Sequence, residues 1–291
     1  MNNKQLLALY GLKYNPFLPD IPPEALWSPP GIDIFSFRLE NLVTDGGFAL
    51  ICGEPGLGKS KVLQLLAHRL NRLDEVVVGV MERPQSSLND FYREMGSLFG
   101  VNLSPANRYG GFKALRQRWH NHIKSTLFRP LLLIDEAQEM ITCCMNELRM
   151  LASVHFDSKC LLTTVMCGDS RLPERFRSTA LVSLGSRMRF RMMLEPYSPS
   201  DLLEYLEHAL EQAAAPHLMT SGLKQTVVEH AGGNIRVLNN MAAELLASAA
   251  QNELTQMDEK LFLQIFSRQA PIRNRCKQKN SSRKGETNGD Q

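Results

Sequence analysis

A chain of 291 residues, 43% of them hydrophobic, is long enough for one large domain with a smaller one beside it and apolar enough to bury a core. No apolar run approaches the ~20 residues of a bilayer-crossing helix, and Met1-Asn2-Asn3-Lys4-Gln5 leads into no signal-peptide core. The six cysteines (Cys52, Cys143, Cys144, Cys160, Cys167, Cys276) form no C-x-x-C pair, so the expectation is reduced thiols in a cytoplasmic protein, with neither a disulfide frame nor a zinc site. The net charge of +3 is uneven: from Arg268 onward seven Lys/Arg face two acids, a basic tail of +5 on a body of −2.

Residues 1–34 read as an N-terminal arm, mostly loop. Prolines at 16, 19, 22, 23, 29 and 30 leave no room for a long helix. The aromatics of Tyr10-Gly11-Leu12-Lys13-Tyr14-Asn15-Pro16-Phe17 either pack on a purine base or pin the arm to the core. A short helix over Phe35–Val43 and a Gly46-Gly47 turn lead into an apolar strand, Phe48–Cys52.

Gly53-Glu54-Pro55-Gly56-Leu57-Gly58-Lys59-Ser60 then fills every fixed position of G-x-x-x-x-G-K-[ST], with Lys61 behind it and helical periodicity from Val62 to Leu70. Strand, glycine loop and helix in that order make a phosphate cradle: backbone amides close on the anion and the helix N-terminus faces it. Lys59 is expected to reach the outer phosphates and the Ser60 hydroxyl to hold Mg²⁺. Glu75–Met81 reads as a second strand, and Phe91–Phe99 and Phe112–Leu127 as helices separated by a loop, Asn102–Gly111. The second helix carries Lys113, Arg116, Arg118, His120, His122 and Lys124, either a solvated face or a nucleic-acid contact.

Pro130-Leu131-Leu132-Leu133-Ile134 is a buried strand that delivers Asp135 and Glu136 to its C-terminal end, where open α/β sheets bind ligands. Asp135 suits Mg²⁺, and Glu136 suits the orientation and polarisation of an attacking water. Leu161–Asp169 is a further strand. If it neighbours the Asp135 strand, Asp169 lies near the γ-phosphate, where it holds the water, holds an arginine or serves a structural turn. Arg187, Arg189 and Arg191 alternate in the strand Ser186–Leu194, either as surface charge or, in one case, as an arginine finger for an adjoining subunit. Past Pro196 only helices follow: from the capping sequence Ser198-Pro199-Ser200-Asp201 to about Ala215, from Thr220 to Gly232-Gly233, Ile235–Gln251 and Asp258–Gln269. Arg236, early in the third, is placed to swing over a nucleotide.

This order of parts resembles an AAA+ ATPase: a P-loop α/β domain with a parallel sheet between helices, followed by a small helical lid. Tyr10-Gly11-Leu12 with Asn15-Pro16-Phe17, Ile134-Asp135-Glu136-Ala137-Gln138 and Gly233-Asn234-Ile235-Arg236 resemble the ExeA-type ATPases and their relatives, the TniB, MuB and IstB helpers of DNA transposition. The resemblance spans roughly residues 8–268. It implies an arm over 1–34, an ATPase domain over 35–195, a lid over 196–269 and a basic tail over 270–291. It also implies ATP and Mg²⁺ as cofactors and Asp135 with Glu136 as the Walker B pair. Asp169 falls at sensor 1, where Asn or another neutral polar residue is common, and Arg236 at sensor 2. Arg187 is the first candidate finger and Arg177 the second. The expected activity is ATP hydrolysis by a homo-oligomer with interface sites, assembled on duplex DNA without sequence preference and assisting a transposase. The alternative is a secretion-type adaptor with nucleotide-gated protein contacts. Secretion-type ExeA proteins continue into a membrane span, whereas this sequence reaches Gln291 through a basic tail, so no membrane partner is expected.

Overall fold

The computed structural model describes residues 3–84, 87–102, 107–156 and 158–266. Five strands build one parallel sheet: β1 (Gly47–Gly53), β2 (Val76–Met81), β3 (Arg129–Ile134), β6 (Thr163–Gly168) and β7 (Met188–Leu194), in the order β2-β3-β6-β1-β7. Every pairing is parallel. Strands buried on both faces read as continuous apolar runs, which is why β1 and β3 stood out in the sequence. Phe48, Leu50 and Cys52 of β1 join Leu132, Ile134 and Met166 on one face; Ala49 and Ile51 join Leu131, Leu133, Val165 and Cys167 on the other. Cys52 and Cys167 thus lie on opposite faces of neighbouring strands, and no disulfide joins the five cysteines among the described residues. Cys276 and the basic tail lie outside those residues.

The first face is covered by α4 (Leu88–Leu98), α5 (Arg108–Asn121) and α6 (Thr142–Ala152), the second by α2 (Ile32–Asp45) and α3 (Lys59–Leu70). Edge strand β7 keeps its period-2 pattern: Phe190 packs edge-on to Phe35 with centroids 5.0 Å apart, while Arg189, Arg191 and Met193 are exposed. Arg187 precedes the strand.

Several elements depart from the sequence expectation. A short helix, α1 (Asn3–Tyr10), precedes the first proline of the arm. Helix α5 starts at Arg108, four residues earlier than expected, and contains both Gly110 and Gly111. Asn107 caps it, accepting from the Gly110 N–H at 2.8 Å, and Arg108 is tied to the buried carboxylate of Glu147, which also accepts from the Tyr92 hydroxyl. Gly111 sits against the Tyr92 ring, where a Cβ would come within 3.0 Å, so this glycine marks close packing and not a loop. Helix α6 and the small hairpin β4 (Ser153–Val154)–β5 (Lys159–Cys160) have no counterpart among the sequence expectations. Short helices α7 (Arg171–Arg175) and α8 (Val182–Gly185) link β6 to β7.

Four helices close the described residues: α9 (Pro199–Gln212), α10 (Ser221–Ala231), α11 (Ile235–Gln251) and α12 (Glu259–Phe266). Ser198 and Asp201 form a reciprocal capping box at the start of α9. The expected end of the last helix, Gln269, lies outside the described residues. These helices share a core of their own, which also takes Leu12 and Phe17 of the arm.

Candidate functional site

The glycine loop leaves β1 at Gly53 and enters α3 at Lys59, at the C-terminal end of the sheet. Gly56 and Gly58 have φ of +91° and +86°, conformations that side-chain-bearing residues rarely adopt. The Lys59 ammonium folds back over the loop, donating to the carbonyls of Gly53 (3.0 Å) and Glu54 (3.2 Å), and the residue is only 7% exposed. Ser60 follows in the first turn, exposed. The Lys61 side chain goes elsewhere, to the Pro19 carbonyl of the arm and to Gln64 Oε1 at 2.9 Å, and burial lowers its pKa. Of Lys61 only the main chain stays in the helix's first turn.

Facing the loop is an acidic wall. Asp135 follows β3, and its N–H donates to the Met81 carbonyl at 3.0 Å. Its Oδ1 accepts from the Glu136 N–H at 2.9 Å, and Glu136 takes a left-handed conformation (φ +49°). Gln138, 7% exposed, bridges two strand ends: its amide donates to Glu136 Oε2, and its Oε1 accepts from the Asp169 N–H at 3.2 Å. Strand β6 does neighbour β3, with Ile134 opposite Met166. Asp169, however, is held by Arg171, whose Nε donates to Oδ2 at 2.8 Å and whose Nη2 pairs also with Glu139 at 2.6 Å. Of the roles open for Asp169, the structure shows two: the arginine partner and the turn, Oδ1 accepting from the Arg171 N–H at 3.0 Å. Burial pushes its carboxyl pKa up, but the bonds and charge of Arg171 outweigh that and leave it below the usual range. Asp135, Lys59, Cys52 and Glu136 all act electrostatically on the buried Cys167 thiol, so loop and acids converge on one strand end; burial first, then Asp135, drives that thiol's pKa up.

Between the walls lies a cavity of about 370 Å³, roofed by the arm and the last helices. Phe17, Pro19 and Trp27 of the arm line it with Lys59, Ser60, Glu136, Tyr197 and Arg236. Its size suits a small ligand. Of the two readings of the arm's aromatics, the structure shows the pinning to the core. Tyr10 and Tyr14 pack on the core of the last helices, while Phe17 reaches both that core and the cavity. Trp27 stands edge-on to Tyr197 and Tyr205, at 5.5 and 5.6 Å. The loop is also gripped from above. Asn234 Nδ2 donates to the Pro55 carbonyl at 3.0 Å, the Arg236 N–H to Gly56 at 3.1 Å and the Tyr197 hydroxyl to Leu57 at 3.0 Å.

The other arginines lie apart from this cavity. Arg187 precedes β7 at the opposite end of the sheet, and its guanidinium donates to the Ser183 carbonyl. It does not reach its own chain's cavity. Arg177 is exposed beyond α7, and Arg175 braces the acidic wall by donating to the Gln138 carbonyl. Sequence reasoning missed Gln138, Arg171, Tyr197 and Asn234 as site residues. Gln138 and Asn234 stood inside quoted motifs, which was the only signal available.

Residues 43–176 match the family model described as AAA domain. Solved structures share the fold. The Aeropyrum pernix ORC2 protein (ADPNP–ADP complexes) superposes with a TM-score of 0.66 at 15% identity, over 89% of this chain and 72% of that one. The Drosophila ORC bound to DNA gives 0.65 at 16%, over 89% and 64%. Together with the family model, this gives the fold: a P-loop parallel sheet flanked by helices, with a helical C-terminal region. General secretion pathway protein A of Aeromonas hydrophila is 28% identical over 208 residues, 70% of this chain, and the chain spans only 37% of that relative's length. Among the described residues no helix is long and apolar enough to cross a membrane.

Proposed function

We propose that the chain is a Mg²⁺-dependent ATP hydrolase whose subunits assemble through their nucleotide sites, act on duplex DNA without sequence preference and assist a transposase. The observation that carries the catalytic half is the cavity that joins Lys59 and Ser60 to Glu136. The donor set fits a hard divalent ion: a serine hydroxyl and an aspartate with one oxygen already taken by a backbone N–H, all-oxygen chemistry that suits Mg²⁺ alongside phosphates. Bound Mg²⁺ would neutralise charge on the phosphates, held by Ser60 and Asp135. The loop, from Gly53 to Ser60 with Lys61 behind it, binds the triphosphate, and Lys59 turns from its carbonyls to the outer phosphates. Glu136 takes a proton from the attacking water, and Arg236 lies over the nucleotide. Arg187, with Arg177 as second candidate, serves as the finger for a neighbouring subunit. The division into arm, ATPase domain, lid and tail at residues 34, 195 and 269 belongs to the same proposal, as does a cytoplasmic location.

Support for DNA comes from α5. No acid stands between Glu94 and Asp135. Lys113, Arg116, His120 and Lys124 follow one another at helical spacing. Arg116 shares an open groove with Arg149, Phe112 and Phe156, and the buried Arg149 Nε has no hydrogen-bond partner. Cations on such a surface bind phosphate backbones in a salt-sensitive way. The transposase rests on the motif resemblance. A second reading, an adaptor of a secretion system with nucleotide-gated protein contacts, is favoured by the relative's name.

The test is ATP turnover with and without duplex DNA, for the wild type and Glu136→Gln. The expected result is stimulation by DNA, and a loss of turnover in the variant of roughly 10²–10⁴-fold with ATP binding kept. No duplex binding at low salt with ATP present would remove the DNA half and leave the second reading.

A further inference from the structure

We infer that Asn234 and Tyr197 are positioning residues that hold the phosphate loop in its anion-binding shape, an inference that rests on the nucleotide reading above. A trans peptide is planar, so the carbonyl of one residue and the N–H of the next point in opposite directions. The carbonyls of Pro55, Gly56 and Leu57 are each held by a donor from residues 197–236. The N–H groups of Gly56, Leu57 and Gly58 are thereby turned the other way, into the hollow of the loop. The Leu57 N–H has only a long 3.5 Å contact there, to the Glu54 carbonyl. Three successive peptides are thus oriented for an anion by groups that never touch it.

Asn234 has two tasks. Its Oδ1 caps α11, accepting from the N–H groups of Arg236 (3.0 Å) and Val237 (3.2 Å). Serine, threonine or aspartate would cap as well. Only an amide also carries a donor in the same plane, and here that donor goes to Pro55. The fit is tight: a Cβ on Gly56 would meet Asn234 Oδ1 at 2.3 Å. Tyr197 is tied to the same turn, its N–H donating to the Gly233 carbonyl at 3.0 Å. Burial pushes its hydroxyl pKa up to about 12, so it remains a donor at neutral pH. Loop order and the seating of the last helices are therefore one equilibrium, and a nucleotide that stabilises one stabilises the other.

The test compares full-length wild type, Asn234→Ser and Tyr197→Phe by Mg-ATP titration calorimetry and steady-state kinetics. Asn234→Ser keeps a capping oxygen and loses the reach to Pro55; Tyr197→Phe loses only the hydroxyl. Each is expected to raise Kd and KM about 5-fold, the loss of one neutral hydrogen bond, with kcat at saturation unchanged and the melting temperature without nucleotide within about 3 °C. Asn234→Asp, which caps but places an anion against the carbonyl, should lose more. Wild-type affinity in both Asn234→Ser and Tyr197→Phe, or a loss confined to kcat, would overturn this inference alone. A wild type that binds no Mg-ATP would overturn the nucleotide reading together with it.

Discussion

The two walls of the cavity are held in place by different means. The acidic wall is mostly local: Asp135, Glu136, Gln138, Asp169 and Arg171 fix one another across two adjacent strand ends, within 37 residues of chain. The phosphate loop is not. Its carbonyls are held by Tyr197 and Asn234, 140 and 179 residues away in sequence. Under the proposed function the chemistry is therefore built into the strand ends, while affinity depends on where the last helices sit. Under the proposed function, a signal that shifts those helices acts on nucleotide binding and leaves Glu136 alone.

Gly56→Ala strikes the conditional wall hardest. The new methyl would overlap Asn234, and alanine resists the +91° φ. A rise in ATP Kd of at least ~30-fold is expected, with a stability loss of about 1–3 kcal/mol in thermal denaturation. If kcat fell at unchanged Kd, the division of labour between the walls would be wrong. Gln138→Leu probes the other wall. It frees Glu136 and leaves the Asp169 N–H unpaired, so kcat should fall about 10-fold with ATP Kd within ~2-fold in calorimetry. An affinity loss instead would show the acidic wall to be as conditional as the loop. Asp169→Asn should have the smallest effect and a pH signature. The folded-state pKa lies below the unfolded value of about 3.9, so the carboxylate's stabilisation is complete above that pH and is lost as pH falls through the folded value. Denaturation midpoints of variant and wild type should differ at pH 7 and converge toward pH 3.

The sequence reading was strongest where structure is local. The strand–loop–helix at Gly53–Ser60 and the acidic strand end at Asp135-Glu136 are contiguous patterns whose chemistry follows from spacing. The four last helices were legible from their caps. Contacts between distant segments were not: nothing in Tyr197 or Asn234 announces a carbonyl 140 or more residues upstream. Gly110-Gly111 misled for a related reason, since a glycine demanded by the Tyr92 ring looks the same in sequence as one demanded by a turn. Asp169 looked odd beside a triphosphate until Arg171, two residues on, supplied the compensating charge.

The two tryptophans of the chain occupy opposite environments. Trp119 is sealed in the core against Phe99, whereas Trp27 borders the cavity with its indole nitrogen bonded to Glu204. One indole is shielded from any ligand in the cavity and the other borders it. If the cavity takes a ligand, emission from Trp27 should change while that of Trp119 stays constant, with no label added.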